Sequence, residues 1–152
     1  MARKRGRVTP ELTRWFGRDG DMALLRALLA EDRKLVTLTG PGGVGKTRLA
    51  KELLFAVHDT YDPEATAFVE LDQVAAADQD DINEQVVAAL DINFHESDQD
   101  RTRFDVLVEK LHGRKGLLVL DNCEHLSDAA GEFVAALVED VPSAVRTAAG
   151  PR

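Results

Sequence analysis

Apolar residues follow two patterns along this chain, one typical of helices and one typical of short buried strands. Apolar positions at helical spacing predict helices over about residues 19–31, 47–57, 82–90, 104–111 and 127–141. Three nearly continuous apolar runs predict strands over residues 35–39, 66–71 and 116–120. Because the strands alternate with helices, the pattern predicts a three-layer α/β domain with a parallel sheet between helices.

Residues with strong end preferences delimit several of these helices. Asp19 or Asp21 is the expected N-cap of the first helix, and Asp81 with Glu84 fits a capping box ahead of the third. Gly113 can close the fourth helix as the residue after its C-cap. These residues define the expected ends of the first, third and fourth helices.

The composition suits one globular domain without a membrane span. The chain has 152 residues, of which 44% are hydrophobic and 30% are charged. No apolar stretch approaches the roughly 18 residues that a transmembrane helix needs, and no apolar segment of a secretory signal follows the basic N-terminus. The single Cys123 excludes an intrachain disulfide. These features predict a cytoplasmic protein with no membrane partner.

Charge is distributed unevenly. Residues 1–18 contain six basic side chains and one acidic side chain, whereas the remaining residues contain 13 basic and 26 acidic side chains. No Lys or Arg occurs between Lys51 and Arg101. Because such an acidic surface repels a phosphate backbone, we do not expect direct nucleic-acid binding. We interpret residues 1–13 as a solvated basic arm.

A glycine-rich loop between the first predicted strand and the second helix carries the strongest chemical signal. It fits the pattern G-x-x-x-x-G-K-[ST] and consists of Gly40, Pro41, Gly42, Gly43, Val44, Gly45, Lys46 and Thr47. Its glycines let backbone N–H groups approach phosphate oxygens at a helix N-terminus. Lys46 can then reach the β- and γ-phosphates, and the Thr47 hydroxyl can bind Mg²⁺. We expect a nucleotide site here and include Arg48 in it.

A second motif begins where the strand over residues 116–120 ends. Asp121 would face the ligand crevice at the carboxyl edge of the sheet, where it can hold Mg²⁺ opposite Thr47. Glu124 is the best-placed base for the water that attacks the γ-phosphate, and Asn122 is a candidate for orienting that water. Lys46, Asp121 and Glu124 are therefore the predicted catalytic residues.

Three segments together resemble the nucleotide-binding domain of bacterial STAND ATPases. They are residues 15–19 (WFGRD), 35–47 (LVTLTGPGGVGKT) and 117–126 (LLVLDNCEHL). Within that class, the chain is most similar to the ATPase module of actinobacterial transcriptional regulators of the AfsR and LuxR-like kinds, which is related to NB-ARC domains. The resemblance implies a signalling switch that exchanges ADP for ATP and hydrolyses ATP slowly. It also implies an adenine pocket lined by Trp15, Phe16, Gly17 and Arg18.

The resemblance does not determine which structure the C-terminal part of the domain forms. Members of that class have a further strand between the strands of the two motifs, followed by helical domains. Residues 144–149 either form a shortened version of this strand or leave a gap in the sheet with unpaired backbone groups. We therefore interpret residues 14–152 as a P-loop nucleotide-binding domain that is C-terminally incomplete. We expect a monomer whose protein partners are missing or separate sensor and effector domains.

Three functions are compatible with these motifs. The first is a STAND-type ATPase module with weak, Mg²⁺-dependent ATP hydrolysis, and the second is a small stand-alone phosphotransferase. The third is a non-catalytic interaction fragment that has lost nucleotide binding. The phosphotransferase would need basic residues for a second substrate, and residues 52–100 contain no Lys or Arg.

Overall fold

The helices and strands were located in a computed structural model that describes residues 19–31, 35–37, 45–71, 78–121, 127–141 and 145–149. These residues form α1 (Asp19–Ala30), β1 (Leu35–Thr37), α2 (Lys46–Ala56), β2 (Thr66–Glu70), α3 (Gln79–Ala89), α4 (Arg103–Leu111), β3 (Gly116–Asp121), α5 (Ser127–Asp140) and β4 (Val145–Ala149). Every helix and strand predicted from the apolar pattern is present. Among the described residues, no helix has the length and apolar character needed to cross a membrane.

The four strands form one parallel sheet in the order β1-β4-β3-β2. β4 pairs with β1 on one side, where Val36 lies opposite Ala148, and with β3 on the other, where Leu118 lies opposite Thr147. Of the two alternatives for residues 144–149, the structure therefore forms the strand. The centre of the sheet has no gap, and the predicted α/β architecture is confirmed.

Helices cover the sheet on both faces, and the side chains of β3 alternate between the two resulting cores. Leu117 and Val119 pack with the apolar residues of α1 and α2, among them Leu25, Leu29, Leu49 and Leu53. Leu118 and Leu120 pack with α3, α4 and α5 through a cluster that includes Ile82, Leu107, Phe133 and Leu137. Because β3 is buried along its whole length, it needs the continuous apolar run that its sequence shows.

The N-terminal caps of two helices differ from the prediction. α3 begins at Gln79, and the carboxylate of Asp78 accepts a hydrogen bond of 2.9 Å from the backbone N–H of Asp81. The capping box predicted from Asp81 and Glu84 is therefore wrong, because an aspartate one turn earlier satisfies the first-turn donor. Asp19 and Asp21, which were predicted as N-cap candidates, likewise lie inside the first turn of α1. Their negative charges interact favourably with the helix dipole there.

The prediction for the end of α4 is confirmed. His112 is the C-cap of that helix, and the following Gly113 has a φ of 75°. A glycine adopts this left-handed conformation without the steric cost that a Cβ atom would add. The chain then turns directly into β3.

The start of β3 packs closely against the turn that precedes β2. A Cβ atom on Gly116 would lie 2.3 Å from the carbonyl oxygen of Ala65 and 2.8 Å from its Cβ atom. Beside this contact, the Asp62 N–H donates to the carbonyl oxygen of Lys115 at 2.7 Å, and the Arg114 guanidinium donates to the Asp62 carboxylate at 2.8 Å. A hydrogen bond from the Glu64 backbone N–H lowers the pKa of the Asp62 carboxyl group, and Arg114 lowers it further by a smaller amount. These contacts fix the amino edge of the sheet.

We expect Gly116→Ala to lower the free energy of unfolding by about 1–3 kcal/mol, the usual cost of overpacking a well-filled site. The added methyl group would meet a backbone oxygen, which cannot move aside as a flexible side chain can. Urea denaturation of both proteins measures the difference. Gly131→Ala is the matched control, because Gly131 lies within α5 with no neighbouring atom within 4 Å of its ideal Cβ position. This control should gain about 0.5–1 kcal/mol, and equal stability of Gly116→Ala and wild type would contradict the expectation.

Candidate nucleotide site

The carboxyl edge of the sheet brings together the beginning of α2 and the end of β3. Gly45 immediately precedes α2 and has a φ of 83°, a left-handed conformation suited to glycine. Its carbonyl oxygen accepts a hydrogen bond of 2.9 Å from the N–H of Leu49, so the glycine-rich loop passes directly into the helix. Glycine has no side-chain acceptor for the first-turn N–H groups, and such a helix start favours an anion.

A hydrogen bond joins the two residues that were predicted to hold Mg²⁺. The Thr47 hydroxyl donates to the Asp121 carboxylate, with distances of 2.9 Å to Oδ2 and 3.2 Å to Oδ1. Asp121 is only 6% exposed. Hydroxyl and carboxylate oxygens are the donors that Mg²⁺ prefers, so this pair fits the ion chemically. The structure thus places the end of the loop against the carboxylate that follows the second apolar strand.

Two further predicted residues lie in the first turn of α2. Lys46 is the first residue of the helix and Arg48 is the third, and both are half-buried. Lys46 therefore begins the helix at the same edge of the sheet as Asp121. The contacts of Lys46 and Arg48 with phosphate remain predictions.

The other predicted site residues lie outside the described ranges. They are the proposed base Glu124 with its neighbour Asn122, the adenine-pocket residues Trp15, Phe16, Gly17 and Arg18, and the loop residues Gly40, Pro41, Gly42, Gly43 and Val44. The roles assigned to them from the sequence remain predictions.

Two residues that were not predicted from the sequence as site residues lie beside the pair of Thr47 and Asp121. Glu70, the last residue of β2, is in register with Asp121 of β3. Lys51 of α2 places its Nζ atom 3.6 Å from Oε1 of Glu70. The sequence feature that could have identified Glu70 is an acidic residue at the end of an apolar strand. Asp121 has the same feature. The register that brings the two together is a long-range property of the sheet.

This fold and site define the class of protein. A parallel α/β sheet whose first strand leads through a G-x-x-x-x-G-K-[ST] loop into a helix is a P-loop nucleotide-binding domain. Residues 14–148 match the model of the AAA ATPase domain family, to which the chain therefore belongs. Members of an ATPase domain family bind nucleotide, usually with Mg²⁺.

Two relatives from Mycobacterium tuberculosis share sequence with most of this chain. An uncharacterized protein is 34% identical over 133 residues, which are 86% of this chain and 32% of the relative. A protein with the provisional name of HTH-type transcriptional regulator is 39% identical over 120 residues, which are 78% of this chain and 12% of the relative. The chain thus spans a third or less of the length of these relatives.

Solved structures show the same fold at low sequence identity. The ORC2 protein of Aeropyrum pernix, in a structure of its ADPNP-ADP complexes, has a TM-score of 0.67 and 18% identity over 97% of this chain and 45% of that chain. Drosophila ORC bound to DNA also has a TM-score of 0.67, with 16% identity over 91% of this chain and 38% of that chain. These likenesses establish the architecture.

We expect Thr47→Val to lower the free energy of unfolding of the nucleotide-free chain by about 1–3 kcal/mol, because a buried carboxylate loses a hydrogen-bond donor. Valine retains the shape of threonine, so lost packing contributes little. Urea denaturation measures the change, and Thr47→Ser, which keeps the hydroxyl, is the control with the smaller expected loss. A Thr47→Val protein as stable as wild type would show that the contact contributes nothing to folding.

Proposed function

We propose that the chain is the nucleotide-binding module of a STAND-type signalling ATPase, which binds ADP or ATP with Mg²⁺ and hydrolyses ATP slowly. The observation that carries this proposal is the hydrogen bond between Thr47 and Asp121. It unites the end of a phosphate-binding loop with a buried carboxylate from a strand that is distant in sequence. Membership of the AAA ATPase domain family supports the same chemistry.

Each element of the site has a distinct task in this proposal. Backbone N–H groups at the start of α2 and the Lys46 ammonium group bind the β- and γ-phosphates. Thr47 and Asp121 hold Mg²⁺ directly or through its water molecules, and the ion neutralises charge on the phosphates when bound. Trp15, Phe16, Gly17 and Arg18 line the adenine pocket.

Two observations support the assignment to signalling ATPases related to transcriptional regulators. The segments WFGRD, LVTLTGPGGVGKT and LLVLDNCEHL resemble those of the STAND class. One relative also carries the provisional name of an HTH-type transcriptional regulator. Because this chain spans only 12% of that relative, we assign only the nucleotide switch to these residues, with the sensor and effector functions in missing or separate domains.

The continuous sheet favours a working module over an interaction fragment. The fragment hypothesis assumed that loss of the central strand had disabled the site, but β4 pairs with both β1 and β3. The strands that carry the two motifs are therefore held at a fixed separation.

We expect saturable binding of fluorescent ADP and ATP in the presence of Mg²⁺, and weaker binding by Lys46→Ala. The loss should be about tenfold or more, because hydrogen bonds to charged groups contribute about 1.5–3 kcal/mol. Fluorescence titration of the purified chain measures both affinities. The matched control is Lys110→Ala, which removes the same charge from an exposed position in the last turn of α4.

Two results would refute the proposed function. One is the absence of binding by a wild-type chain that unfolds cooperatively in urea. The other is saturable binding that Lys46→Ala and Lys110→Ala leave equally strong.

A further inference from the structure

We propose that Glu70 positions the water that attacks the γ-phosphate, and that Lys51 orients the Glu70 carboxylate. The inference deepens the proposed function and rests on it, since it concerns the same nucleotide site. It assigns the role of the base, predicted from the sequence for Glu124, to Glu70 at the end of β2.

The sheet places Glu70 and Asp121 side by side. They are partners in the parallel pairing of β2 with β3, and adjacent strands lie about 4.8 Å apart. Residues two apart on a strand point to the same face, and Phe68 and Val119, each two residues earlier, both belong to the core beneath α1 and α2. The two carboxylates therefore face α2, the helix that begins at the phosphate-binding loop.

Backbone hydrogen bonds hold β2 in the sheet as far as its last residue, Glu70. The N–H of the next residue, Leu71, donates a hydrogen bond of 3.0 Å to the carbonyl oxygen of Asp121. Leu71 itself is fully buried in the core on the opposite face. Pairing thus continues past Glu70, and this carboxylate extends from a fixed backbone position.

Two neighbouring contacts link α2 to the ends of β3 and β2. Thr47 bonds to Asp121, and Lys51, one helical turn later on the same face of α2, lies 3.6 Å from Glu70. The Lys51 ammonium group also lies 5.1 Å from the centre of the Phe68 ring, which further restrains it. The same helix therefore orients both carboxylates.

Exposure distinguishes the tasks of the two acidic residues. The side chain of Glu70 is 56% exposed and that of Lys51 is 31% exposed, whereas Asp121 is 6% exposed. Water can reach Glu70, as the proposed role requires. An ion pair this exposed contributes little to stability, so its main effect is on the orientation of the carboxylate.

The proposed step is the hydrolysis of ATP to ADP and phosphate. The water oxygen forms a bond to the γ-phosphorus, and the bond from that phosphorus to the β–γ bridging oxygen breaks, with its electron pair leaving on ADP. Glu70 accepts a hydrogen bond from the water and takes the proton it loses, then releases it to solvent. Asn122, directly after Asp121, has an amide that cannot serve as this base.

The test compares three Glu→Gln variants that differ only in position: Glu70→Gln, Glu124→Gln and Glu139→Gln. Glu139 is an exposed residue near the end of α5, away from the carboxyl edge of the sheet, and serves as the control. We expect Glu70→Gln to slow single-turnover ATP hydrolysis by about 100-fold or more, the usual contribution of a general base. Its Kd for ATP should stay close to that of wild type. Lys51→Met should slow hydrolysis by a smaller factor than Glu70→Gln does. Lys51→Arg, which keeps the positive charge, should retain most of the wild-type rate.

A second measurement does not require turnover. ADP with aluminium fluoride mimics the γ-phosphoryl group during transfer, so wild type should bind ADP more tightly when aluminium fluoride is present. Glu70→Gln should lose this gain while keeping the affinity for ADP alone, and Glu139→Gln should retain it.

The outcomes separate the two proposals. If wild type binds no nucleotide, the proposed function fails and this inference fails with it. If nucleotide binds but only Glu124→Gln loses hydrolysis or the aluminium fluoride gain, the assignment to Glu70 is wrong and the nucleotide site stands. Wild type that binds ATP but shows neither hydrolysis nor the gain would also overturn the inference.

Discussion

The pairing of β4 between β1 and β3 is the constraint on which the rest of the structure depends. A parallel strand in this position satisfies backbone groups of both neighbours and sets their separation at two inter-strand spacings. The glycine-rich loop follows β1, and Asp121 ends β3. The separation between the end of β1, which leads into the glycine-rich loop, and Asp121 is therefore set by the backbone of a strand that carries neither motif.

Alternation along β3 connects this sheet to its chemistry. Leu117, Val119 and Asp121 face α2, while Leu118 and Leu120 face the opposite helices. The same two-residue repeat that fills both cores thus delivers a carboxylate to the first turn of α2. Because β3 contributes both to the cores and to the position of Asp121, a change in its register would lower stability and displace this carboxylate.

The sequence predicted the elements because apolar spacing is a local pattern, and it predicted that Asp121 lies opposite Thr47 because both motifs mark the carboxyl edge of a parallel sheet. Apolar spacing marks each helix, and a loop pattern and a strand end are visible without a partner. It could not decide the state of residues 144–149, because three of the six are alanines, which are depleted in strands, and the hydrogen bonds come from two strands distant in sequence. The cap of α3 was misassigned because Asp78 and Asp81 compete locally. The proximity of Glu70 to Lys51, and the contact of Gly116 with Ala65, arise from tertiary packing alone.

The order of strands in the sheet differs from their order along the chain, and this has a consequence during synthesis. β4 is the last of the four strands to leave the ribosome, yet it occupies an interior position in the sheet. Until it emerges, β1 and β3 expose unpaired backbone edges, which are prone to association with other chains. The four-stranded sheet is therefore complete only when β4 inserts between β1 and β3, and chaperone protection would matter most during that interval.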